Sequence, residues 1–452
     1  MTRVRALIAR PRALLARFLP QGAILLSVLT FASYFAGLVR DRIFARTYGA
    51  GSELDAYNAA FVLPELALDV LVASGLTAPF VPVFTSLRRR DPDAAPRFAQ
   101  TVLALAIIVM GGASLLLLFI APATIDIVAP GFDAENRARY LDLFRLMLLT
   151  PVIFAASITL GEILVAERRF LPYGLAPIMY NVGIVLGTVL LHDTMGIRAA
   201  AVGALIGALL HLGIRLLGML RSSVQVRLRL DLRMPALREF IRLMIPKMLS
   251  HPIEPLTFLF FTAVATTLAA GSVSSLSFAR NFQSVPVALF GASIAVAAFP
   301  GLSAAWAAGD RSTFGRQVRT SALTIGALST AAAIAMVVVG PLAIEVLLGG
   351  GAFDAEDVAT TAAILAAFAI AIPFDALGHL VARGLYATHN TVLPVLASVV
   401  GFVVTIVSTL ALVPTLGVVA IPLGFAAGTA VRVVLQAIAL AWRMRKPAPA
   451  SA

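Results

Sequence analysis

Apolar stretches long enough to cross a bilayer recur from one end of this chain to the other, and a polypeptide written this way folds in lipid. Twelve can be placed, at about 22–46, 56–84, 98–121, 141–166, 172–191, 197–220, 238–269, 274–305, 317–348, 357–387, 391–413 and 417–442. Charged residues make up only 13% of the sequence, well below the share a water-soluble domain carries, so a soluble fold with a large core is excluded. Glycine and proline fall inside the apolar stretches, which membrane helices tolerate because neighbouring helices satisfy the freed backbone groups. The expected fold is therefore all-α and polytopic, with about twelve transmembrane helices.

The net charge of +12 raises the question of nucleic acid, but its placement answers otherwise. The basic residues alternate with the apolar stretches. Arg3, Arg5, Arg10, Arg12 and Arg17, then Arg88–Arg90 with Arg97, Arg168 and Arg169, Arg221 to Arg242, Arg311 to Arg319, and finally Arg443, Arg445 and Lys446 all fall on one side. The opposite loops are mostly acidic, with Glu53, Asp55, Asp126, Asp133, Glu135, Asp193, Asp354, Glu356 and Asp357. The positive-inside rule then places both termini of this multi-pass chain in the cytoplasm. A cleaved signal peptide does not fit the arginine-rich start, because the apolar pattern continues long after one segment.

Phe132-Asp133-Ala134-Glu135 returns 221 residues later as Phe353-Asp354-Ala355-Glu356. Gly196, Gly203 and Gly207 return at the same offset as Gly417, Gly424 and Gly428, and Pro151 and Pro172 return one residue further on as Pro373 and Pro394. Six spans per copy give both copies one orientation, hence two parallel six-helix repeats around a central cavity. The expected division is a basic N-terminus at 1–21, a bundle at 22–221, a cytoplasmic linker at 222–237, a second bundle at 238–443 and a tail at 444–452. Two bundles that rock about a cavity make a transporter.

Charges inside spans are costly and mark cavities or partners. Glu65 and Asp69 lie four apart on the second span, and Lys247, His251 and Glu254 share a face of the seventh. Asp375, His379 and Arg383 form a ladder on the tenth span that neutralises itself. Glu65, Asp69, Glu254, Asp375, His379 and Arg383 are the candidate cavity or coupling residues, for Na+ or H+. Arg40 and Arg280 are the candidate phosphate ligands, because arginine presents a bidentate fork to phosphate. His211 and Arg215 read as interfacial, and Glu162 and Arg432 stand isolated without a role. Gly349–Gly351 opens no phosphate loop, since no Gly-Lys-Ser/Thr follows, and neither a zinc-protease helix motif nor a serine elbow is present. No catalytic or metal site is expected, and the chain reads as a transporter, not an enzyme.

Gly37-Leu38-Val39-Arg40-Asp41, Tyr48-Gly49-Ala50-Gly51, Asp55-Ala56 and Phe61-Val62-Leu63-Pro64 resemble the opening of the MurJ/MviN family of lipid II flippases. Ala78-Pro79-Phe80-Val81-Pro82, Arg169-Phe170 with Pro172, and Ala279-Arg280 with Pro286 to Gly291 extend the likeness through most of the chain. The resemblance implies the fold of the MOP exporter superfamily. It implies as substrate an undecaprenyl-pyrophosphate-linked peptidoglycan precursor, and it implies substrate-binding roles for Arg40, Asp41, Asp55 and Arg280. The chain departs from the family at Tyr34 and Ala279, where the family carries an arginine and an acidic residue. It departs again along Glu65 to Asp69, where the family carries a basic residue, and in having twelve spans instead of fourteen. The expected partners are the lipid-linked anionic substrate, membrane lipids and envelope-synthesis proteins, with no nucleic acid. A cation-coupled multidrug antiporter, a flippase for another lipid-linked oligosaccharide and a non-transporting scaffold are the alternatives.

Overall fold

The computed structural model describes residues 21–250 and 253–445; the N-terminal arginines up to Arg17, His251 and Lys446 lie outside them. In chain order the helices are α1 (Gln21–Tyr48), α2 (Ser52–Leu68), α3 (Ser74–Arg90), α4 (Ala94–Phe119), α5 (Ala121–Val128), α6 (Ala134–Met147), α7 (Leu149–Ala166), α8 (Phe170–Met195), α9 (Arg198–Met219), α10 (Pro235–Ser250), α11 (Ile253–Ala265), α12 (Ser272–Pro286), α13 (Ser293–Ala307), α14 (Arg311–Leu347), α15 (Ala355–Ala387), α16 (Val392–Leu416) and α17 (Ala420–Arg445). Among the described residues the only β pairing is an isolated bridge between Gly350 and Phe353.

Ten stretches are long and apolar enough to cross a membrane by length and composition; the last, Val392–Arg445, contains both α16 and α17. The shorter apolar helix α11 follows α10. These elements overlay the twelve segments expected from sequence. The side chains are arranged as lipid requires. Phe31, Phe119, Leu190 and Val338 are more than 70% exposed, whereas Ser157, Thr159, Glu162, His211 and Arg215 are buried.

The ends of the helices explain the sequence repeat. Asp354 accepts hydrogen bonds from the backbone N–H groups of Glu356 and Asp357, capping α15. Asp133 accepts one from Asn136 at the start of α6. The twinned Phe-Asp-Ala-Glu motif is thus a helix-start signal. Gly196 ends α8 with φ 55° and Gly417 ends α16 with φ 55°, a backbone region only glycine enters easily. The paired glycines serve close approach. A Cβ on Gly183 or Gly187 would overlap the backbone of Gly207 or Gly203, so α8 and α9 touch main chain to main chain, and Gly401 and Gly428 do the same for α16 and α17.

Two further features pair up. A π-turn, Asp69–Ala73, joins α2 to α3, and another, Val287–Ala292, joins α12 to α13.

The chain forms two compact units. Unit 1 takes the described residues of Met1–Phe44, Ala60–Ile125 and Ala138–Pro252; unit 2 takes those of Ala45–Ala59, Asp126–Arg137 and Ile253–Ala452. In unit 1, Phe80, Phe84, Phe98 and Phe240 form an aromatic core, with ring centroids 5.6–6.4 Å apart. Phe240 belongs to α10, so this helix, read from sequence as the opening of the second bundle, packs in unit 1. In unit 2, Leu302, Phe314, Leu380, Leu385 and Leu440 are buried together.

Candidate functional site

Unit 1 carries Arg40 on α1. Its Nη2 and Nε donate to Asp41 Oδ1 at 2.8 and 3.1 Å; the Arg40 side chain is 25% exposed and that of Asp41 8%. Asp41 therefore holds one edge of the guanidinium in place. Glu65 is exposed on α2, and Arg40 and Glu65 both lie within electrostatic reach of Tyr180 on α8. Asp69, four residues on, is the first residue of a π-turn and is half-buried.

Unit 2 contains the most heavily hydrogen-bonded of the candidate residues. Asp55 is 3% exposed. Its Oδ2 accepts from Gly271 N at 2.7 Å; its Oδ1 accepts from Ser274 N at 2.8 Å and Ser274 Oγ at 2.6 Å. The carboxylate thus sits on the N-terminus of α12, where orphan N–H groups and the helix dipole favour negative charge. Gly271 has φ 86° and abuts the Ala50 carbonyl, leaving no room for a Cβ. Arg46 Nε and Nη2 donate to the Gly349 carbonyl at 3.1 and 3.0 Å, and the Ala50 N–H donates to Asp357 Oδ2 at 3.0 Å. Residues 45–59 are therefore fastened at three places, to the start of α12, to the loop before α15 and to the first turn of α15.

Arg280, on α12, is half-buried with its Cζ 2.9 Å from the centroid of the Phe258 ring. The ladder on the tenth span is tied differently from the sequence expectation. Asp375 Oδ1 pairs with Arg432 Nη2 at 2.8 Å, from α17, and Oδ2 receives a long contact of 3.5 Å from Gln283. Arg383 donates to the His379 carbonyl at 3.2 Å. His379 feels Asp375, Arg432, Arg383 and the exposed Glu254. The self-neutralising reading fails because the opposing helix supplies a closer cation. Arg432 is not isolated.

Three further residues come together in unit 1. His211 and Arg215 are each 5% exposed and Glu162, left unassigned by the sequence, is 3% exposed; together they form a buried cluster. Ser157 and Gly161 on α7, each four residues from the next cluster contact, were the available signal, but only packing shows which helix faces them.

The all-helical fold of this chain is shared with solved membrane transporters. A MurJ lipid II flippase solved in an inward closed conformation matches with TM-score 0.80 at 21% identity, covering 93% of this chain and 88% of that one. An inward-facing multidrug MATE transporter of the MOP superfamily matches with TM-score 0.80 at 15% identity, covering 91% and 94%. The family model described as lipid II flippase MurJ matches residues 44–450. A probable lipid II flippase MurJ of Thermotoga maritima is 28% identical over 93% of this chain and 84% of its own length. The lipid II flippase MurJ of Burkholderia cenocepacia is 24% identical over 94% and 84%. The chain belongs to the MurJ lipid II flippase family. The multidrug MATE transporter is a relative in fold.

Proposed function

We propose that this chain carries lipid II from the cytoplasmic to the outer leaflet of the bacterial inner membrane by alternating access, without hydrolysing ATP itself. The observation that carries the reading is family membership, with the lipid II flippase model matching residues 44–450. The positive-inside rule puts both termini in the cytoplasm and the acidic loops outside. Arg40 and Arg280 serve the pyrophosphate, Arg40 steadied by Asp41 and Arg280 by the Phe258 ring. Asp55 braces the start of α12, the helix that carries Arg280. Glu65, Asp69, Glu254, Asp375, His379 and Arg383 tune the charge of the pathway. Substrate drives closure only through its differential affinity for the two states.

The test is complementation of cells depleted of their own lipid II flippase, with lipid II translocation measured directly. The unmutated chain is expected to restore it, and Arg40→Ala and Arg280→Ala are each expected to abolish it. Failure of the unmutated chain overturns the substrate. Full activity in both variants overturns the ligand assignment.

A further inference from the structure

Unit 1 holds a buried polar cluster that phosphate recognition leaves unused. Ser157 and Gly161 lie four apart on α7, and His211 and Arg215 lie four apart on α9, so each pair shares a helix face. His211 Nδ1 is 2.7 Å from Ser157 Oγ, and Arg215 Nη1 donates to the Ser157 carbonyl. The guanidinium lies over Gly161, where a Cβ would overlap Nη1, so glycine is what admits it. Glu162 follows on the same helix. Arg215 acts on Glu162 electrostatically, yet among the described residues the carboxylate makes no ion-pair contact, and the buried Arg215 Nε has no hydrogen-bond partner.

A carboxylate and a guanidinium that are within reach but not in contact have a charge balance set by small movements around them. The neighbours of Glu162 are few. Helix α9 brings Arg215 and His211. Helix α8 brings Tyr173, whose ring centroid is 5.1 Å from Arg215 Cζ. Helix α3 brings exposed Thr77, whose hydroxyl is a hydrogen-bond partner of the Glu162 carboxylate. Helix α4 faces α7 with Val102, Leu103, Ala106 and Met110, all apolar. The cluster also has a physical link toward Arg40. Phe154 packs on His211 at 4.9 Å and on Tyr180 at 5.0 Å, and Tyr180 feels Arg40.

We propose that Glu162 is a proton-exchange site of unit 1, with Arg215 as its electrostatic partner and Thr77 at its exposed approach. Loading forms one O–H bond on the carboxylate at the expense of a hydronium ion and leaves a water; release reverses this to water on the other side of the membrane. Nothing is oxidised or reduced. The inference rests on the chain cycling as a transporter, and its site is separate from the phosphate ligands.

The full chain is purified and its carboxyl C=O infrared band followed through pH steps; in parallel, proteoliposomes containing a pH dye report proton movement during lipid II transfer. A titrating band is expected that Glu162→Gln removes and Glu162→Asp shifts, with loss of lipid-linked proton movement in Glu162→Gln. Arg40→Ala is expected to stop lipid transfer and keep the band. A wild-type chain that moves no lipid II but shows the Glu162 band leaves the inference standing and overturns the substrate. A band unchanged in Glu162→Gln, or proton movement unchanged in it, overturns the inference. Should Glu162→Gln fail to fold, the wild-type band and its shift in Glu162→Asp decide.

Discussion

Removing the Asp55 carboxylate should open the clasp at the start of α12, and the size of the effect follows from its contacts. Asp55 accepts three hydrogen bonds, two of them from backbone N–H groups at a helix terminus. Bonds to a charged acceptor are worth more than neutral ones, but desolvating a carboxylate this deeply takes back part of the gain, so about 1 kcal/mol net for each is a fair central figure. Asp55→Ala then weakens the clasp by about 3 kcal/mol, which raises the open fraction about a hundredfold. The chain has no cysteine, so a single introduced thiol gives an unambiguous signal. Ser272, 5% exposed beside the clasp, is the position to use. With Ser272→Cys placed in wild type, Asp55→Ala and Asp55→Asn, the rate of maleimide labelling reports how often the start of α12 is uncovered. Labelling should be about a hundredfold faster with Asp55→Ala, and intermediate with Asp55→Asn, which keeps an acceptor but not the charge. Equal rates in all three would show that the carboxylate does not hold this end together.

Gly271→Ala should loosen the same clasp by a different route, since its φ of 86° strains any L side chain by about 1–2 kcal/mol and the Ala50 carbonyl leaves the methyl no space; faster labelling at Ser272→Cys checks it. Asp375→Ala and Arg432→Ala should each destabilise the protein by about 1–3 kcal/mol, scaled down because both side chains are partly exposed, and the double variant should recover part of the loss in thermal melts. Asp310 caps the 37-residue helix α14, and hydrogen bonds from Thr313, side chain and backbone, then from Ser312, hold its carboxyl down to about 2 from the usual 3.8. A lowered folded-state value means the cap contributes in full above the unfolded value and fades as pH falls toward about 2, so the melting difference between wild type and Asp310→Ala should stay constant from neutrality down to the carboxylate range and shrink only below it.

Much of the fold was legible because lipid imposes a length on apolar segments and the arginines mark where they end. The duplicated Phe-Asp-Ala-Glu was legible as a repeat, though not as a pair of helix caps, since capping depends on where a helix begins. The charged residues inside the spans were legible as types and not as partners. Asp375 meets Arg432, 57 residues on, and Glu162 feels Arg215 from another helix without touching it; no spacing rule links residues on different helices. Asp55 was picked out by likeness alone, as a substrate ligand, because nothing in its own neighbourhood announces the N-terminus of α12 as its target.

The two π-turns bear on how this chain tolerates change. A π-turn widens to take up its surplus residue, so the residues of Asp69–Ala73 carry the chain round about as far as one residue fewer does in an α-helix, and the Phe80 and Phe84 faces that fill the aromatic core keep the phase set by α2. Deleting one residue there would close the wide turn to ordinary α-helix and leave the downstream faces near their present neighbours. The same holds across Val287–Ala292. At these two points the chain can lose a residue without losing its register.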